Sequence, residues 1–150
     1  MTRSTFLRLL TIVLLASSAG ALFAASNEPA PKYGCELLTN YVPIAKALAF
    51  DDLKAAQVAA AALSKQAESN GMTGIVEKAK VLAEASDIVK ARAAFRPLTE
   101  EIEPLTVTEK KVTVMYCPMA RGTWVQANGP VENPYYGKAM LRCGGPKGVK

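Results

Sequence analysis

The 150-residue chain is half hydrophobic and carries 18 Lys and Arg against 13 Asp and Glu, a formal charge of +5. The basic residues are scattered among acidic ones, without the stripe a nucleic-acid binder needs, so nucleic acid is not an expected partner. There is no histidine, which excludes Ser-His and Cys-His catalysis, histidine-ligated zinc or haem and the Glu-x-x-His di-iron pattern; no enzyme is expected.

In chain order, Arg3 and Arg8 flank a polar start, Leu9 to Leu15 is an apolar run, and Ala16 to Ala25 is rich in small residues. This is the layout of a secretory signal. The run is shorter than the roughly 20 apolar residues of a spanning helix, so residues 1–26 are read as a signal peptide removed after Ser26, or after Ala24 as an alternative. No membrane contact is then expected, and the protein is expected to be periplasmic or secreted. Removing Arg3 and Arg8 takes the charge from +5 to +3. About 124 residues remain, enough for one domain.

Residues 27–32 read as a flexible leader, and residues 33–105 as a helical bundle. Leu37, Tyr41, Ile44 and Leu48 recur on one helical face. Pro43 either kinks this helix or starts it. Asp51-Asp52 offers an N-cap for a second helix with Leu53, Ala56, Ala60, Leu63 and Ala67 inward, ended by Asn70-Gly71. Thr73 is expected to cap a third helix whose inner face carries Ile75, Ala79, Leu82, Ser86, Val89 and Ala93. Pro97 is expected to break it and begin a short fourth helix with Leu98, Ile102 and Leu105 inward. Glu100, Glu101 and Glu103 would then suit the N-terminal dipole of that helix.

The texture changes at Thr106, and residues 106–150 read as a cap on the same domain. Val112, Val114 and Tyr116 alternate with Lys111, Thr113 and Met115 as in a strand, and Trp124-Val125-Gln126 suggests a second. Asn128-Gly129-Pro130 and Asn133-Pro134 signal turns. Trp124, Tyr135 and Tyr136 are expected to pack the cap onto the bundle. The predicted fold is mainly α: an antiparallel up-and-down bundle of three to four helices with a small C-terminal β-hairpin or irregular cap.

Within the cap lie two sulfur clusters, Cys117-Pro118-Met119 and Met140-Leu141-Arg142-Cys143. Thiolate and thioether sulfur are soft donors that select Cu(I) over hard cations. If Cys117 and Met119 continue the strand they share a face, and Met140 and Cys143 share one if they form a helical turn. Gly137, Gly144 and Gly145 would permit close backbone approach. Cys117, Met119, Met140 and Cys143 are therefore candidate ligands for Cu(I) or Ag(I). The alternative is a Cys117–Cys143 disulfide that staples the cap, as export to an oxidising compartment would allow. Met115 and Met72 read as core. Cys35 reads as a leftover thiol, or as the partner of one of the other two.

The runs Cys117-Pro118-Met119-Ala120, Trp124-Val125-Gln126, Asn133-Pro134-Tyr135-Tyr136-Gly137 and Met140-Leu141-Arg142-Cys143-Gly144, with Tyr41 and Ala47 through Leu53 upstream, resemble a bacterial domain of unknown function. That domain occurs as short exported proteins and at the C-termini of periplasmic adaptor proteins of heavy-metal efflux pumps. The resemblance implies an association with copper or silver efflux and an efflux adaptor, or another envelope protein, as partner. Relatives often place a histidine before Cys-Pro-Met-Ala; Tyr116 stands there in this chain. The expectation is thus an exported soft-metal binding or sequestration module with an all-sulfur site. The alternative is a disulfide-stapled, metal-free interaction domain of the envelope.

Overall fold

The computed structural model describes residues 34–148; the expected signal peptide and leader lie outside them. Four helices, α1 (Gly34–Ala49), α2 (Leu53–Ser69), α3 (Thr73–Ala83) and α4 (Ile88–Ile102), precede a three-stranded antiparallel sheet of β1 (Val112–Cys117), β2 (Gly122–Ala127) and β3 (Gly145–Pro146). The strand order is β2-β1-β3. The mainly helical class with a small β cap is as the sequence predicts, with the short β3 as an added strand.

Helix α1 runs unbroken through the exposed Pro43, so the helix neither starts nor stops there. Leu37, Tyr41, Ile44 and Leu48 are all fully buried. The helix ends where Asp51 takes a left-handed conformation, φ +60°, and the Asp52 amide turns back to the Ala47 carbonyl at 2.9 Å. Glycine usually fills such a position because a side chain there is strained. Asp52 caps α2 through a 2.9 Å bond from the Ala55 amide. Small residues at Ala56, Ala60 and Ala67 are fully buried, so α2 can lie close against its neighbours.

The third helix departs from the sequence expectation. It stops at Ala83, and Asp87 starts α4 by accepting the Lys90 amide at 2.8 Å. An aspartate followed by helix-forming residues is a strong start signal, and it prevails over the continuous apolar spacing. Ser86 and Ala93 are exposed and Val89 is 72 % exposed, so they are not part of the inner face. Ala91, Ala94, Phe95, Leu98 and Ile102 take that role in α4. Pro97 lies inside α4 and does not break it. The carbonyl its ring leaves unpaired, four residues back, belongs to exposed Ala93, where water can satisfy it. Glu100 and Glu101 accordingly lie at the C-terminal end of α4, not at an N-terminus. Glu101 is bridged to Lys78 at 2.6 Å, and Glu103 pairs with Lys147. Thr73 makes no capping hydrogen bond; Met72 holds the cap position without one.

In the hairpin Met115 pairs with Trp124 and Cys117 with Gly122, so Met115 and Cys117 share the face of Trp124. Met115, Cys117 and Trp124 are buried while Tyr116 is 39 % exposed. The better-buried set of β1 is therefore the one holding Met115 and Cys117, and Val112 and Val114 are half-buried. Both helices α1 and α4 pack on β2. Tyr135 joins cap to bundle: its ring lies 5.8 Å from that of Phe95 and 6.2 Å, edge-on, from that of Trp124. Beneath it, Tyr41 stacks on Phe95 at 5.4 Å and its hydroxyl meets Thr99 Oγ1 at 2.6 Å. Burial pushes the Tyr41 phenol far above its ordinary value and that of Tyr135 up to about 12.

Candidate functional site: a buried thiol pair

Cys117 is the last residue of β1, and the chain turns immediately through Pro118-Met119-Ala120-Arg121. Arg121 has φ +48°, which reverses the backbone into β2. Arg96 of α4 clamps this turn. Its two terminal nitrogens donate to the Arg121 carbonyl at 2.6 Å and the Ala120 carbonyl at 2.9 Å, and its guanidinium lies over the Tyr135 ring at 4.8 Å. So held, the turn aims the Ala120 amide at Cys117 Sγ, 3.4 Å away.

Cys143 arrives from the opposite side. A short 3-10 helix, Gly137–Met140, precedes it, and the Cys143 amide closes onto the Met140 carbonyl at 3.0 Å. Asn133, fully buried, organises this segment. Its Nδ2 donates to the Cys143 carbonyl at 2.7 Å, and its Oδ1 accepts the amides of Tyr135 and Tyr136 at 2.8 and 3.3 Å. Its own amide donates to the Leu141 carbonyl at 2.8 Å. In sequence, Asn133-Pro134 reads only as a turn. The missed signal is the side chain of asparagine, which mimics backbone and can hold a loop together.

A second arginine of α4 anchors the same segment to the bundle. Arg92 donates to the Pro134 carbonyl and the Leu48 carbonyl, each at 2.8 Å, and to Asp51 Oδ1 at 2.5 Å. Asp51 Oδ2 accepts the Lys138 amide at 3.1 Å. The Arg92 hydrogen bond in particular holds the Asp51 carboxyl below the usual carboxylate range. Gly137, at φ +60°, lies directly against this pair.

These two anchored segments bring Cys117 Sγ and Cys143 Sγ to 3.1 Å across 26 residues of sequence. Both are free thiols, as is the exposed Cys35. Cys117 is fully buried and Cys143 is partly exposed. Burial acts to raise the Cys117 thiol. The Ala120 amide, the Cys143 thiol, the Met119 amide and the Asn133 side chain outweigh it and hold Cys117 below the usual thiol range. Cys143 moves above that range chiefly through its hydrogen bond with Cys117, with burial and the Cys117 charge adding to the effect. The two shifts run in opposite directions, so Cys117 is the more readily ionised thiol of the pair.

The methionines are placed less closely. Strand β1 ends at Cys117, so Met119 does not continue it; Met119 stands on the turn, 62 % exposed. Met140 is half-buried at the end of the 3-10 helix. The structure therefore joins the two thiols and leaves Met119 on the solvent side. Close backbone approach is found at Gly137 and at Gly144, where an added Cβ would lie 2.8 Å from the Trp124 ring, but not at Gly145. Among the described residues no three Cys, Asp or Glu side chains cluster for a metal.

Residues 37–113 match a family described as a protein of unknown function, DUF3347. The chain belongs to this family. The match spans the four helices and the start of β1, and it ends short of Cys117, so the family is established on the bundle and not on the sulfur clusters. No curated protein and no solved structure matches the chain. Among the described residues, no helix is long and apolar enough to cross a membrane.

Proposed function

We propose that this member of the DUF3347 family is an exported soft-metal module, in which Cys117 and Cys143 bind Cu(I) or Ag(I) and Met119 and Met140 add thioether donors. The observation that carries the reading is the convergence of two thiols at 3.1 Å with an N–H directed at Cys117. Amide donors favour the thiolate, which is the ligating form of cysteine. The role is sequestration or hand-off within a heavy-metal efflux or resistance system, with a periplasmic efflux adaptor or another envelope protein as partner.

The donor set fits the ion, and the spacing fits after a small opening. With metal–sulfur bonds of about 2.3 Å, tetrahedral coordination needs the sulfurs roughly 3.8 Å apart and linear coordination roughly 4.6 Å. From 3.1 Å the pair opens by about 0.7 Å in one case and about 1.5 Å in the other. Titration of the reduced protein with Cu(I) against a chromophoric competitor tests the site. Copper taken from the competitor, and lost on Cys117→Ser, supports it. No copper taken refutes it. Unchanged affinity in Met119→Leu plus Met140→Leu removes the methionines from the ligand set.

The same spacing supports a second reading, a disulfide-stapled, metal-free interaction domain of the envelope. A disulfide of about 2 Å needs the sulfurs to close by only about 1 Å. Thiol counting and intact mass on freshly isolated protein separate the two. One free thiol, with Cys117 and Cys143 linked, favours the staple. Three free thiols with metal bound favour the module.

A further inference from the structure

We infer that Cys143 is the entry point for S-thiolation of this protein by small disulfides and that Cys117 resolves the adduct, making the pair a reversible redox device. The inference uses the thiol pair of the proposed site but requires no metal. It rests on an asymmetry of access. Cys117 is fully buried at the end of β1, beneath the turn clamped by Arg96. Cys143 is partly exposed and is followed by exposed Gly144. Cys143 therefore offers a small disulfide an approach that fully buried Cys117 does not. Once an adduct forms on Cys143, its sulfur lies within about 1 Å of bonding distance to Cys117, as judged from the present 3.1 Å separation.

The chemistry is two successive exchanges with a low-molecular-weight disulfide as oxidant. Cys143, the less readily ionised thiol of the two but the more exposed, loses its proton to solvent, and the thiolate attacks one sulfur of the small disulfide. That S–S bond breaks, a mixed disulfide forms on Cys143, and one small thiolate leaves. Cys117 thiolate then attacks the Cys143 sulfur, forming the Cys117–Cys143 bond and expelling the second small thiolate. Two protein thiols have lost two electrons and two protons, and the oxidant has become two small thiols. Excess small thiol reverses both steps. Exposed Cys35 would react with the small disulfide on its own account, so it is removed by substitution.

The test uses the full chain carrying Cys35→Ser, stripped of metal, reduced and then exposed to oxidised glutathione, with intact-mass readout over time. The parent should lose two hydrogens without accumulating a glutathione adduct. Adding Cys117→Ser should give one stable adduct, mapped to Cys143. Adding Cys143→Ser should leave Cys117 modified at least about tenfold more slowly than Cys143 is in the Cys117→Ser protein, because burial outweighs its readier ionisation. That protection should vanish in denaturant, which also shows that the variant was folded. Alanine at either cysteine serves as a second variant if serine disturbs the cap. Faster modification of Cys117 than of Cys143, or a persistent adduct on the parent, overturns the inference. The Cu(I) titration is a separate measurement, so either result can fail without the other.

Discussion

Replacing Gly137 with alanine should uncouple the cap from the bundle. The backbone there has φ +60°, and an added Cβ would lie 2.8 Å from Asp51 Cγ and closer still to Asp51 Oδ1 and Arg92 Nη2. A non-glycine residue in the left-handed region costs roughly 1–2 kcal/mol. The methyl group also forces Asp51 away from Arg92 or from the Lys138 amide. That ion pair is worth about 1 kcal/mol at most, because the Asp51 side chain is 38 % exposed and solvent screens it. Loss of the Lys138 hydrogen bond adds about 1 kcal/mol. A destabilisation of about 3 kcal/mol is a sizeable part of the 5–15 kcal/mol typical of a domain. Urea denaturation followed by the fluorescence of buried Trp124 measures it. Asp51→Gly, which keeps the left-handed backbone without strain and loses only the carboxylate, should cost less than Gly137→Ala. A Gly137→Ala loss under about 1 kcal/mol, or a larger loss in Asp51→Gly, would refute the proposed clasp.

Arg96→Ala should release the Pro118–Arg121 turn, so that Cys117 becomes alkylated faster in the folded protein; an unchanged rate would show that the turn holds without the clamp. Tyr41→Phe removes the hydroxyl that meets Thr99 and should cost about 1 kcal/mol by denaturation, with an effect near zero arguing that the bond has no net worth. Tyr135 has its folded-state ionisation raised to about 12 from an ordinary value of 10.0, with burial the main cause. Its contribution to stability is complete below pH 10 and is lost as pH rises through about 12. Alkaline titration should show tyrosinate absorbance from this group appearing together with loss of Trp124 burial. Tyrosinate formation complete near pH 10 would contradict it. Asp51 has the opposite sign: its lowered carboxyl supports stability at neutral pH and ceases to as pH falls below the ordinary carboxylate range, so Asp51→Asn should flatten the acid side of the stability profile.

The bundle was legible wherever apolar spacing and caps agreed. Leu37 through Leu48, the Asp52 cap and the Asn70-Gly71 stop all fall as periodicity and capping chemistry require. The reading failed between Leu82 and Pro97, where two local signals competed. Small residues at Ser86 and Ala93 fit either a buried or an exposed face, so they carry no vote, and Val89 extended a false stripe. Proline at position 97 is no break, because its cost depends on whether the orphaned carbonyl meets water, which spacing alone does not reveal. In the cap, the two cysteines could be picked out as a pair by residue type. Their anchoring could not, because it is made by Arg92, Arg96, Asp51 and Asn133 through carbonyls and amides, and backbone partners leave no pattern in sequence. Met119 shows the reverse: its spacing suggests a shared face, yet the strand ends at Cys117, two residues short of it.

Arg92 and Arg96 stand four residues apart on α4, about 6 Å along its axis and just over one turn. One fastens the chain at Pro134, next to the Asn133 that hydrogen-bonds the Cys143 carbonyl, and the other fastens the turn after Cys117. The pitch of a single helix therefore meters the gap between two sulfurs that belong to different loops. A one-residue insertion between these arginines would rotate one clamp by about 100° and carry its sulfur out of register, leaving both cysteines present and the pair lost. The portion of the chain that defines the family thus acts as the gauge for chemistry located beyond its end.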